Sequence, residues 1–129
     1  MKLYVEERGS GEARKLSSGA TILATSVVAY PEARSAFARR TRERILTGAE
    51  HERIKSEFER DWPGVLTIEV TDAIARRAGA LADRRALRGF HGIHLASYLF
   101  LREQDAETEI GFSSFDERLN RVARLEASR

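Results

Sequence analysis

The chain has no cysteine, two prolines, one methionine, one tryptophan and three histidines among 129 residues. Without cysteine there are no disulfides, no thiol nucleophile and no thiolate metal site, and the expected compartment is the cytoplasm. No apolar run approaches the ~18 residues of a membrane span, so no membrane partner is expected. The start, Met1-Lys2-Leu3-Tyr4-Val5-Glu6-Glu7, carries charge where a secretory leader keeps an apolar stretch. No glycine-rich loop of the GxGxxG or GxxxxGK[ST] type is present, which argues against a nucleotide-binding domain built on one. With 42% hydrophobic and 33% charged residues, the chain can bury a core, and its length suits one domain, residues 1–129. Net charge is only +2, but 19 of the 22 basic residues are arginine, the side chain suited to bidentate phosphate contacts.

No repeat or linker divides the sequence. Thr21–Thr25 reads as a strand after Ser17-Ser18-Gly19. Ser26 is placed to cap a helix to about Leu46, with Val28, Ala29, Ala33, Ala36 and Phe37 as its apolar stripe. A second helix is expected over Ala49–Arg60, then a turn at Trp62-Pro63-Gly64. Val65–Val70 is the next strand, and Thr71 or Asp72 caps a helix to about Ala86. A helix over His91–Arg102, a strand at Glu109–Phe112 and a helix over Phe115–Ala127 complete the chain. Strands alternating with helices predict a short parallel sheet flanked by helices on both faces. Three short strands are few for this length, and the first residues read as the inside of a helix, so a strand at the front is expected to be missing.

In parallel sheets, ligands bind beyond the carboxyl ends of the strands. Glu32, His91 and Asp116 each follow a strand end or open a helix, and are expected on one edge. Acids gathered there suit Mg²⁺ or Mn²⁺, hard cations that take oxygen ligands and activate water. A single carboxylate at a helix start is more often a helix cap. The segment Arg39-Arg40-Thr41-Arg42-Glu43-Arg44 supplies the RNA-contact candidates Arg39, Arg40, Arg42 and Arg44, or else an exposed helix face with i,i+4 pairs.

Three blocks in order, Tyr30-Pro31-Glu32-Ala33-Arg34-Ser35-Ala36, Gly89-Phe90-His91-Gly92-Ile93-His94-Leu95-Ala96-Ser97 and Ser114-Phe115-Asp116-Glu117-Arg118-Leu119-Asn120, resemble PIN-domain proteins of the VapC toxin type. Lys2–Glu7 and Asp61-Trp62-Pro63 match the usual spacing, so the resemblance covers nearly the whole chain. It implies a three-layer α/β ribonuclease fold, the toxin of a toxin–antitoxin pair, cutting RNA with Mg²⁺ or Mn²⁺ on about four acids. The implied partners are RNA, a cognate antitoxin and a second copy of the chain. Glu32 and Asp116 match two of the acids, Ser114 the hydroxyl residue that accompanies the last one, and His94 a packed helix residue with its ring bonded to a neighbour.

Two departures stand out. His91 occupies the position of the third acid, followed by Gly92 where alanine is expected, a helix cost of ~1 kcal/mol. The first acid, which ends the family's central first strand, is expected to be absent with that strand, leaving its neighbours ~9.6 Å apart. His91 is then a candidate metal ligand better suited to Mn²⁺ than to Mg²⁺. On this basis His91→Asp alone would leave a metal short of the acid from the central strand. Two readings follow: a metal-dependent endoribonuclease with impaired activity, or an inactive module binding antitoxin or RNA without cleavage.

Overall fold

The computed structural model describes residues 2–6 and 21–129, with 2–6 and Thr21 described by backbone alone; Ser17-Ser18-Gly19 lies outside the described residues. The elements are β1 (Lys2–Glu6), β2 (Thr21–Ser26), α1 (Ala29–Arg42), α2 (Gly48–Asp61), a 3₁₀ turn at Trp62–Gly64, β3 (Leu66–Ile68), α3 (Asp72–Arg85), α4 (Gly89–Gln104), β4 (Glu109–Ser113) and α5 (Glu117–Ala127). The sheet order is β3-β2-β1-β4, and every pair is parallel. This is the expected short parallel sheet with helical connections.

The expected vacancy at the centre of the sheet is corrected. Lys2–Glu6 is a strand rather than a piece of helix. It pairs with β2 from Lys2↔Thr21 to Val5↔Ala24 and with β4 from Lys2↔Glu109 to Glu6↔Ser113. Leu3-Tyr4-Val5 is an apolar run with two β-prone residues. Pairing on both sides satisfies backbone groups that an open centre would leave bare on β2 and β4.

The helix starts follow local chemistry. Thr47 and Glu50 form a reciprocal capping box for α2, with Oγ1 accepting from Glu50 N–H at 3.1 Å and Oε1 accepting from Thr47 N–H at 2.9 Å. Thr71 caps α3 through Ile74 N–H at 3.2 Å, as its sequence position predicts. Ser26 does not cap α1: β2 runs through it, and the helix starts at Ala29 without a side-chain cap. That helix also stops at Arg42, short of Leu46. Arg44 adopts φ 61°, and the N–H groups of Ile45 and Leu46 both turn back to the Arg40 carbonyl. The basic segment is therefore a helix end and a turn, and not one continuous helix face.

Two cores form. In the larger one, Ile74, Ala78 and Leu81 of α3, Leu95, Ala96 and Leu99 of α4, and Leu119, Val122 and Ala123 of α5 pack with Ala24, Ile68 and Ile110 of the sheet. The smaller one joins Ala33 and Phe37 of α1 to Phe58 of α2, with Tyr30 and Trp62 alongside. Phe100, on α4, is 39% exposed. Gly92 has a packing reason: a Cβ there would lie 2.7 Å from the Ala78 carbonyl oxygen, so α4 rests directly on the α3 backbone.

Candidate active site

β2 delivers the chain through Val27-Val28 into α1, which puts Glu32 in the first turn of that helix, where its charge complements the helix dipole. Its Oε1 accepts a hydrogen bond at 2.7 Å from Nε2 of His94, a fully buried residue of α4. The family resemblance implies a neighbour bonded to the His94 ring, and that neighbour is Glu32, one of the candidate acids. Nδ1 of His94 has no hydrogen-bond partner among the described residues. With Nε2–H assigned as the donor, Nδ1 is left as a buried lone pair. Thr25, Ser26 and Ser97 are also buried polar residues, and Ser97 returns its hydroxyl proton to the Ile93 carbonyl at 2.8 Å.

One turn earlier on α4 stands His91, 22% exposed, with Nδ1 3.8 Å from Asp116 Oδ2. Asp116 is the N-cap of α5, its Oδ1 accepting from Leu119 N–H at 3.1 Å. That backbone bond, helped by the Arg118 N–H and the charges of His91 and Arg118, holds its carboxyl below the usual range against the opposing effect of burial. Ser114 fixes the approach to the cap. Its hydroxyl accepts from Asp116 N–H at 3.2 Å and meets Asn120 Oδ1 at 2.8 Å, while Asn120 Nδ2 donates to the Ser114 carbonyl at 3.1 Å. Asn120 closes the third motif block, and its i+4 relation to the cap is the sequence signal for this pairing.

The two carboxylates thus reach neighbouring turns of one helix, Glu32 at His94 and Asp116 at His91. His91 and His94 are three residues apart and share a face, which the sequence spacing already allowed. By backbone register, Glu6 ends the central strand opposite Ser113, so an acidic residue does occupy the end of that strand. The arginine candidates lie elsewhere. Arg39, Arg40 and Arg42 form the exposed last turn of α1, ~10–15 Å along the helix axis from Glu32. Arg44 lies beyond the helix end.

The described side chains do not fit a divalent cation as they stand. Among the described residues no three His, Asp or Glu side chains are grouped to hold one. Glu32 is bound to a buried imidazole and Asp116 to a helix terminus, which takes up oxygen lone pairs a metal would need.

No protein-family model matches the chain. A short parallel sheet with helical connections is the α/β architecture of a PIN-like fold. The chain is 37% identical over 99 residues to Ribonuclease VapC45 of Mycobacterium tuberculosis (strain CDC 1551 / Oshkosh) and to Ribonuclease VapC49 of Mycobacterium tuberculosis (strain ATCC 25618 / H37Rv). Each match spans 77% of this chain and 69% of the relative. The chain belongs to the VapC family of toxin–antitoxin ribonucleases.

Proposed function

We propose that this chain acts on RNA at the edge carrying Glu32, His91 and Asp116, with little or no Mg²⁺-dependent phosphodiester cleavage. The observation that carries this reading is the His91–Asp116 approach of 3.8 Å: an imidazole stands beside the carboxylate where the family resemblance implies a third acid. A ring nitrogen is a poor ligand for Mg²⁺ and an acceptable one for Mn²⁺. When protonated, the same ring binds a phosphate and repels a metal. Glu32, held by His94, and Asp116, held by Ser114 and the α5 cap, give the edge a fixed negative frame into which His91 introduces a half-buried imidazole. An antitoxin, a second copy of the chain and a cytoplasmic setting accompany this reading through family membership.

The test is RNA cleavage by purified protein in Mg²⁺ and in Mn²⁺, for the wild type and for His91→Asp. With the centre of the sheet filled by β1, the substitution alone raises Mg²⁺-dependent cleavage by about tenfold or more, because it exchanges a nitrogen for carboxylate oxygens beside Asp116. This replaces the expectation that an extra strand is needed. Robust Mg²⁺-dependent cleavage by the wild type that vanishes in Glu32→Gln overturns the proposal.

A further inference from the structure

Away from that edge, a cavity of about 390 Å³ opens between α3, α4 and the end of α5. Arg77 and Arg84 of α3, Arg102 of α4 and Arg129 beyond α5 line it, together with Glu103 and Glu126. Arg102 lies eleven residues past His91, ~16 Å along the α4 axis, so the cavity is separate from the candidate active site. Both lining carboxylates are already satisfied. Glu103 accepts from the two Nη groups of Arg77 at 2.8 and 2.7 Å. Glu126 accepts from Nε and Nη2 of Arg84 at 3.2 and 2.9 Å, and from Nε of Arg85 at 2.8 Å. Arg102 donates from Nη1 to the Ala127 carbonyl at 2.9 Å, which orients the guanidinium without neutralising it. Arg129 is 57% exposed and comes no closer to Glu126 than 3.5 Å. Among the described residues, Nη1 of Arg84 and Nε and Nη2 of Arg102 have no hydrogen-bond partner. Four lining cations against two lining anions leave a surplus of two positive charges.

Such a cavity repels cations and attracts anions. A carboxylate offers two oxygens in one plane, and Glu103 and Glu126 already make the planar pairings with Arg77 and Arg84. The donors that remain come from three sides, α3, α4 and the end of α5, and suit a tetrahedral anion whose oxygens diverge. Leu99 is the one apolar residue lining the cavity and no lining residue is aromatic, so nothing there would hold a nucleobase. The volume falls within the range of small-ligand sites and accommodates a diphosphate. We propose that this cavity binds a small free phosphate-class anion, with Arg84, Arg102 and Arg129 contacting its oxygens. The anion bridges the three helices beside Glu126. This inference is independent of the reading that the chain acts on RNA.

The experiment is calorimetric titration of the full chain with sodium pyrophosphate in metal-free buffer at constant ionic strength, beside thermal melts in the same solutions. Wild type is expected to bind saturably, one anion per chain, and to melt at a higher temperature as the site fills. Arg102→Gln and Arg129→Gln should each raise Kd about tenfold or more, because each removes a charge-assisted bond. Arg102→Gln also loses the bond to Ala127, so the exposed Arg129 keeps the test available if that variant does not fold. Arg124→Gln removes an exposed charge from the same end of α5, outside the cavity, and should leave Kd within about twofold. Citrate, a carboxylate anion of comparable charge, should bind about tenfold more weakly or worse. Absence of saturable binding by the wild type overturns the proposal. So does an Arg129→Gln variant that binds like wild type, or an Arg124→Gln variant weakened as much as Arg129→Gln. Citrate binding as tight as pyrophosphate overturns the phosphate assignment.

Discussion

At the residue scale, the His94–Glu32 bond is the contact on which the edge depends. A buried imidazole without a partner for Nε2 would bear the desolvation cost of a polar atom, and Glu32 supplies that partner from another element. Bonds to charged groups contribute about 1.5–3 kcal/mol, and emptying a buried ring site adds a cavity cost. His94→Ala should therefore destabilise the fold by about 3 kcal/mol in urea unfolding. Glu32→Ala should cost less, because that side chain is 27% exposed. A double-mutant cycle should return a coupling of about 1–3 kcal/mol. Coupling near zero would show that the 2.7 Å contact does not hold Glu32 in place.

At the scale of elements, one substitution at two glycines separates propensity from packing. Glycine inside a helix costs about 1 kcal/mol relative to alanine. Gly79 of α3 has nothing within 4 Å of an added Cβ, so Gly79→Ala should stabilise by about that amount. At Gly92 the added Cβ would meet the Ala78 carbonyl at 2.7 Å, and backbone cannot rotate aside as a side chain can. Overpacking costs about 1–3 kcal/mol, which outweighs the propensity gain, so Gly92→Ala should lower the melting temperature. Relief would have to come from moving α4 away from α3, and His91 and His94 would move with it. Thermal melts of the two variants that shift in the same direction would remove this account of the α3–α4 contact.

At the scale of the whole molecule, Glu126 near the end of α5 is tied to the rest of the fold. Its carboxylate is 5% exposed and accepts from Arg84 at 2.9 and 3.2 Å and from Arg85 at 2.8 Å, both on α3. Burial works against its charge, but the hydrogen bonds and charges of Arg84 and Arg85 prevail and hold it at about 2, against an ordinary 4.5. A depressed carboxylate stabilises the fold above its unfolded pKa and loses that contribution as pH falls through the folded one. The contribution, about 3 kcal/mol, is thus complete above about pH 5 and disappears between about 4.5 and 2. Glu126→Gln should reduce stability at pH 7 and flatten this part of the acid limb in denaturant titrations at several pH values. An unchanged difference between wild type and variant from pH 7 to pH 2 would contradict it.

Local chemistry determined much of this protein on its own. Thr71 as a cap, the parallel order and the family blocks around Glu32, His91 and Asp116 are all readable, because caps, alternating elements and short motifs depend on near neighbours in sequence. The tertiary structure decided the rest. Lys2–Glu6 reads as helix by itself, and becomes the central strand because β2 and β4 present unpaired backbone on both sides. Gly92 looks like a weak helix residue until the Ala78 carbonyl is placed against it. The partner of His94 is 62 residues away in sequence, and the arginines of Glu126 are 41 and 42 away, so no local pattern could name them. Nearby residues set the shapes of the elements, but a buried polar atom takes whatever partner packing brings within reach, and that is settled only when the chain has folded.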